Sequence, residues 1–306
     1  MSYADTQNAP GDASEAVQNP DRGLPAVPEG TPHFLIVGAC KAGTTTLYDD
    51  LALHPDSFMP ADKEPDILHR GQDPDEVLTM WRRHFRGAPQ GALRGEGSTY
   101  YTMTPDRADV SGLARRVLGP EARIIYIMRH PLRRIESHLG HDHIAGRVAA
   151  EDFDRAALEE TRYVAWSDYA RQMAPWIEAF GRENVLPVIF ERFVSERHST
   201  ARAVASFIGL DPDRLPARSG VSNARDSMRV PKGKMLSRLL NSTTYRQRLR
   251  GLVPDGMRQV LRQAVSRRAG APVEVALEEE TLAELRLRLS HVPGALRALG
   301  ITPGDW

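Results

Sequence analysis

The apolar run Phe34-Leu35-Ile36-Val37 leads straight into Gly38-Ala39-Cys40-Lys41-Ala42-Gly43-Thr44-Thr45-Thr46, and the stretch after it carries Leu47, Tyr48 and Leu51 at helical spacing. Strand, glycine loop and helix in immediate succession commit the chain to an α/β architecture. Such a junction aims free backbone N–H groups and the positive end of the helix dipole at one point, which suits a phosphate without any net protein charge. Gly38 and Gly43 let the backbone bend toward the anion, and the three threonine hydroxyls add donors.

The spacing is close to a Walker A loop, yet that motif needs lysine after its second glycine, where this chain has Thr44. The lysine stands inside the loop instead, at Lys41. A nucleotide triphosphatase also holds Mg²⁺ with an acidic residue at another strand end, and no apolar run here ends in such an aspartate. The expectation is a 5′-phosphate site whose chemistry involves no metal.

Two further apolar runs, Ile124 to Met128 and Val185 to Phe190, alternate with amphipathic stretches, the signature of a parallel sheet covered by helices. A weaker strand is expected over Leu93 to Tyr100, where Gly95 and Gly97 interrupt the pattern. Apolar spacing predicts helices over Thr45 to Leu53, Pro105 to Leu118, Leu132 to Ile144 and Trp166 to Phe180. The predicted fold is therefore a three-layer, P-loop-like α/β domain over residues 31–306, with a mainly helical C-terminal part beyond Leu236 broken near Pro254 and Pro293. Residues 1–30 lack hydrophobic periodicity and read as a disordered tail.

The second strong run ends in Arg129-His130-Pro131, followed by a helix carrying Arg133, Arg134 and Ser137. Pro131 suits a first helical position. An arginine at the carboxyl end of a parallel strand lies on the same sheet edge as the glycine loop, where open α/β sheets bind ligands. Ser137, roughly two turns on, returns to that side. Two anion sites on one edge imply a ligand with two separated phosphates.

Composition narrows the partners. The chain has 306 residues, 41% of them hydrophobic, and its 40 basic and 40 acidic residues cancel. No global field draws it to nucleic acid or an anionic membrane. The single cysteine, Cys40, forms no intrachain disulfide and reads as a packing residue. No run approaches the ~18 apolar residues of a membrane span, and no signal peptide is recognisable, so a cytoplasmic location is expected. Only Lys41, Lys63, Lys232 and Lys234 are lysines; every other basic side chain is arginine.

Taken together, the two motifs resemble the sulfotransferase superfamily, whose donor is 3′-phosphoadenosine-5′-phosphosulfate (PAPS) and whose product is the 3′,5′-bisphosphate (PAP). The resemblance implies that Lys41, Ala42, Gly43, Thr44, Thr45 and Thr46 hold the 5′ end and that Arg129 and Ser137 hold the 3′-phosphate. It extends through Met59-Pro60, Lys63-Glu64-Pro65, Gly95 to Tyr100, and Tyr169 with Trp176 and Phe180, over roughly residues 33–215. It is stronger to the carbohydrate-type branch, which includes the heparan sulfate sulfotransferases and bacterial relatives, than to the phenol and steroid enzymes. Cys40 and Asp66 depart from the branch, which commonly has proline and histidine there.

The chemistry needs a group to neutralise charge on the departing oxygen and a base for the acceptor. Lys41 fits the first role, and by resemblance Glu64 fits the second, with His69 and Asp66 as alternatives and Lys63 as a group orienting sulfuryl oxygens. His138, His141, Asp142 and His143 lack the spacing of a zinc motif and are expected to line the acceptor cleft or cap the helix. Arg225, Arg229 and Lys232 form a basic stretch able to close over a nucleotide. The acceptor is a hydroxyl or amine of a small molecule, glycan or lipid-like compound. A nucleotide-dependent kinase and a non-catalytic PAP-binding protein are the competing readings.

Overall fold

Every residue of β1 (Phe34–Gly38) is buried, as a strand covered on both faces requires. The computed structural model describes residues 25–217, 229–231, 266–268 and 273–306. β1 is joined by β2 (Ser57–Phe58), β3 (Leu93–Gly97), β4 (Arg123–Met128) and β5 (Val185–Ile189) in the order β2-β3-β1-β4-β5, all pairs parallel. β4 is likewise buried throughout. The expected α/β fold is the observed one.

The helices are α1 (Thr44–Leu51), α2 (Ile67–Arg70), α3 (Pro74–His84), α4 (Ser111–Leu118), α5 (Pro131–Ile144), α6 (Phe153–Glu159), α7 (Thr161–Ala165), α8 (Tyr169–Phe180), α9 (Phe190–Ser195) and α10 (Arg197–Phe207). Later in the chain β6 (Arg229–Pro231) pairs antiparallel with β7 (Ser266–Arg268), followed by α11 (Glu279–Leu289) and α12 (Val292–Ala298). α11 packs against α5, α6 and α7, and α12 against α8.

Where the elements differ from expectation, local chemistry explains it. β3 survives its glycines because Gly95 lies across from Phe34, and a Cβ there would come within 2.1 Å of the Phe34 ring. The strand stops at Gly97 and gives way to a 3₁₀ turn at Thr99–Thr102. Helix α4 begins at Ser111 and not near Pro105, because the Asp109 carboxylate accepts from the Ser111 amide at 2.9 Å and sets the start there. Helix α8 begins at Tyr169, where Asp168 caps the Arg171 amide at 3.2 Å. The C-terminal part contains the β7 strand besides helices; α11 and α12 separate just before Pro293, and Pro254 lies outside the described residues. At the other end Pro25 is buried, Val27 packs on the core and the Ala26 amide donates to Glu121, so packing reaches back past residue 30.

Two buried charges hold this frame. Glu96, on β3, accepts from Tyr101 Oη at 2.5 Å and from the Trp81 indole, while burial pushes its carboxyl above the usual range. Arg134, on α5, has no exposed surface. Its guanidinium donates to Ser167 Oγ at 2.6 Å and to the carbonyls of Tyr163 at 2.7 Å and Arg162 at 3.3 Å. A helix-terminal carbonyl buried without a donor is costly, and Arg134 supplies that donor to α7. Arg134→Met keeps most of the volume and removes the donors. It is expected to lower the unfolding free energy in urea by about 2–4 kcal/mol, and an unchanged midpoint contradicts the capping role.

Candidate active site

Four strand ends deliver residues to one cleft of about 890 Å³ at the carboxyl edge of the sheet. The β1 loop contributes Cys40, Lys41, Gly43, Thr44, Thr45 and Thr46, the β3 end Thr99, the β4 end Arg129, and the β5 end Phe190. Because β1 lies between β3 and β4 in the sheet, these ends converge without any long loop, as expected of ligand sites in open α/β sheets.

The β1 loop is built for close approach. Gly43 takes φ +93°, and a Cβ there would come within 2.7 Å of the Phe190 ring, so glycine is required twice over. Gly43 is also the N-cap of α1, and no side chain caps that end; the Thr46 amide donates back to the Gly43 carbonyl at 3.0 Å, which leaves the Thr44 and Thr45 amides for a ligand. Lys41 stands at φ +68°, in the left-handed region that few non-glycine residues occupy. The Ala42 methyl is fully buried in the core, and its amide donates to Ala39 O at 3.2 Å. This residue shapes the loop.

Arg129 lies with its guanidinium 4.9 Å from the centroid of the Phe190 ring, and its carbonyl accepts from Tyr169 Oη at 2.6 Å. The adjoining His130 amide donates to Glu191 at 2.8 Å. Ser137, on α5, lines the same cleft. Phe190 therefore packs on Gly43 and underlies Arg129, joining the β1 loop to the β4 end. Arg134, named with them in the sequence motif, is a buried structural residue.

Glu64 also lines the cleft. It takes φ +53°, its amide donates to Gly97 O at 3.0 Å, and its Oε1 accepts from Thr99 Oγ1 at 2.9 Å. The alternatives for its role lie elsewhere. Asp66 is tied to His69 at 2.7 Å and to Arg107 at 2.9 Å, His69 also reaches the Ala108 carbonyl at 3.0 Å, and neither residue lines the cleft. Lys63 does not line it either: its Nζ is buried 4.5 Å from the centroid of the Tyr48 ring, and burial lowers its pKa.

Of the histidine cluster, His138, His141 and Asp142 reach the cleft, whereas His143 turns to the Val148 carbonyl and the Phe153 ring. The Asp142 carboxylate is buried and engaged by Arg147 at 2.6 Å, Arg162 at 3.2 Å and Tyr163 Oη at 2.9 Å. Burial, assisted by Lys41, lowers His141 to about 4, and burial with Arg134 lowers His138 well below the usual range, so both are uncharged at neutral pH. Burial raises the Cys40 thiol to about 11, which makes it a poor nucleophile. Among the described residues no cluster of His, Cys, Asp and Glu has the geometry to hold a metal. Arg225 and Lys232 lie outside the described residues, and Arg229 begins β6.

Sequence reasoning missed Phe190 as a site residue, Thr99 as the partner of Glu64, and the wall formed by Arg107, Arg147, Arg162 and Trp166. Phe190 carried a signal in its place at a strand end, and Thr99 in its place within the run Gly95 to Tyr100.

A family profile described as the sulfotransferase domain matches residues 31–248. Heparan sulfate glucosamine 3-O-sulfotransferase 6 of Mus musculus is 28% identical over 189 residues, 58% of this chain and 52% of that protein. Carbohydrate sulfotransferase 15 of Mus musculus is 23% identical, over 63% of this chain and 47% of that protein. The chain thus spans about half the length of the curated relatives it matches. A sulfotransferase structure from Alicyclobacillus acidocaldarius aligns with TM-score 0.51 and 27% identity over 63% of this chain and 88% of that one. Mouse sulfotransferase SULT7A1, complexed with PAP, shares the fold at TM-score 0.51 and 13% identity, over 94% of each chain. Among the described residues no helix is long and apolar enough to cross a membrane.

The depressed histidines set a pH response. An unfolded imidazole titrates near 6.5, whereas His33 and His141 in the folded chain titrate at about 4. Between those values the unfolded state binds more protons, so their contribution is complete above about pH 6.5 and is lost as pH falls toward 4. His141→Asn is expected to flatten the fall in urea midpoint between about pH 7 and pH 5; an unchanged slope contradicts the burial of an uncharged imidazole.

Proposed function

The chain belongs to the sulfotransferase family, and from that premise we propose that it transfers the sulfuryl group of PAPS to a hydroxyl or amine of an acceptor, releasing PAP. The observation that carries the reading is the cradle itself. The uncapped N-terminus of α1 and Arg129 share one cleft, bridged by Phe190, at a sheet edge with no Walker lysine. A donor with phosphates at both ends of a nucleoside matches two anion sites, whereas a triphosphate matches one extended site.

In this reading Thr44, Thr45 and Thr46, with the backbone amides of Thr44 and Thr45, bind the 5′-phosphate. Arg129 and Ser137 bind the 3′-phosphate. Glu64, anchored by Thr99, takes the proton of the attacking hydroxyl or amine as the acceptor atom bonds to sulfur opposite the leaving oxygen. The electron pair of the breaking sulfur–oxygen bond passes to that bridging oxygen, where Lys41 neutralises the developing charge. The left-handed backbone at both Lys41 and Glu64 is consistent with positions held for function. No step in this scheme is assigned to a metal ion, and a cytoplasmic setting is part of the same proposal.

Lys41→Ala is expected to lower transfer from radiolabelled PAPS about 10²–10³-fold, the scale of losing one charge-stabilising group. Glu64→Gln is expected to lower kcat about 10²-fold or more while PAP affinity by calorimetry stays within a few-fold. Full activity in the first variant, or a parallel loss of PAP binding in the second, contradicts the assigned roles. Transfer is expected to persist in EDTA, and a strict Mg²⁺ requirement favours a kinase.

A further inference from the structure

Beyond Glu64 the cleft is walled by the segment after β3, the C-terminal half of α5 and the start of α7, tied together by side-chain bonds. The Trp166 indole donates to Asp106 at 2.8 Å and stacks on His138 with centroids 5.3 Å apart. Arg107 lies 4.7 Å from the centroid of the Tyr100 ring. This half of the cleft faces the acceptor.

Its charges are closed on themselves. Among the described residues, three guanidiniums line this wall, and each is held by a carboxylate: Arg107 by Asp66, Arg147 by Asp142, and Arg162 by both Asp142 and Glu160. Asp106 and Glu64 add negative charge, and His138 and His141 add none near neutral pH. An acceptor already bearing carboxylates or sulfates must displace these pairs and meet the remaining carboxylates, a juxtaposition that disfavours it. An uncharged hydroxylated ring meets no such penalty and finds aromatic surface at Trp166 and Tyr100.

We infer that the acceptor is an uncharged, hydroxyl-bearing ring compound packed against Trp166, and that the carboxylate-paired arginines exclude anionic acceptors. The inference rests on the sulfotransferase reading above and deepens its acceptor half. Glu160 is the specificity-determining residue best placed for testing. It lies at the rim, its side chain is 38% exposed, and its one ion pair among the described residues is with Arg162.

The test uses a matched pair of probes, 4-nitrophenyl β-D-glucopyranoside and 4-nitrophenyl β-D-glucuronide, which differ by one carboxylate. With PAPS as donor, sulfation of the glucoside is expected to exceed that of the glucuronide about tenfold or more in kcat/KM, about 1.4 kcal/mol of discrimination. Glu160→Gln, which removes one of the two carboxylates that hold Arg162 and leaves Asp142 as its partner, is expected to narrow that ratio several-fold with PAP affinity unchanged. Equal or better use of the glucuronide overturns the inference. So does a ratio unmoved by Glu160→Gln, or transfer to neither probe by protein that still binds PAP. Loss of PAP binding in the unaltered protein overturns instead the donor reading on which the inference stands.

Discussion

The contact between Gly43 and Phe190 fixes the geometry on which the rest of the cleft depends. Only a glycine in the left-handed conformation lets the β1 loop pass against that ring. The same ring underlies Arg129, so the distance between the α1 N-terminus and the arginine is set by a packed aromatic and not by two independent loops. Phe190 is in turn positioned by β5, paired in register with β4, whose end carries Arg129. In the proposed reading, a rigid core thus pre-orders two anion sites, which spares the ordering entropy a flexible clamp would lose on binding.

A second layer of buried polar groups supports the reacting side. Glu96 holds the end of β3 through Tyr101 and Trp81, and the turn that follows presents Thr99 to Glu64. Arg134 ties α5 to the end of α7, keeping Ser137 and the Asp142 cluster on one wall. These groups touch no ligand in the proposed scheme. They restrain the backbones from which Glu64, Ser137 and Arg162 project.

Most of the half proposed to hold the donor was legible in the sequence because it is local. The loop from Gly38 to Thr46 and the run from Arg129 to Ser137 each lie within a few residues of a strand end, and buried parallel strands announce themselves as unbroken apolar runs. The opposite wall, proposed to face the acceptor, was illegible because it is assembled from segments distant in sequence: Asp66 with Arg107, Asp106 with Trp166, Asp142 with Arg162. Spacing carries no record of such pairs. The misplaced starts of α4 and α8 have another cause, since Asp109 and Asp168 set those boundaries through side-chain bonds that apolar periodicity does not register.

The central claim is that one cleft selects a ligand with two separated phosphates. Calorimetric titration with PAP, adenosine 5′-monophosphate and adenosine 3′-monophosphate tests it most directly, in the unaltered chain and in Arg129→Ala. PAP is expected to bind at least about a hundredfold more tightly than either monophosphate, roughly 2.7 kcal/mol, and Arg129→Ala is expected to erase its advantage over the 5′-monophosphate. Equal affinity for PAP and the 5′-monophosphate in the unaltered chain would contradict the two-site cradle.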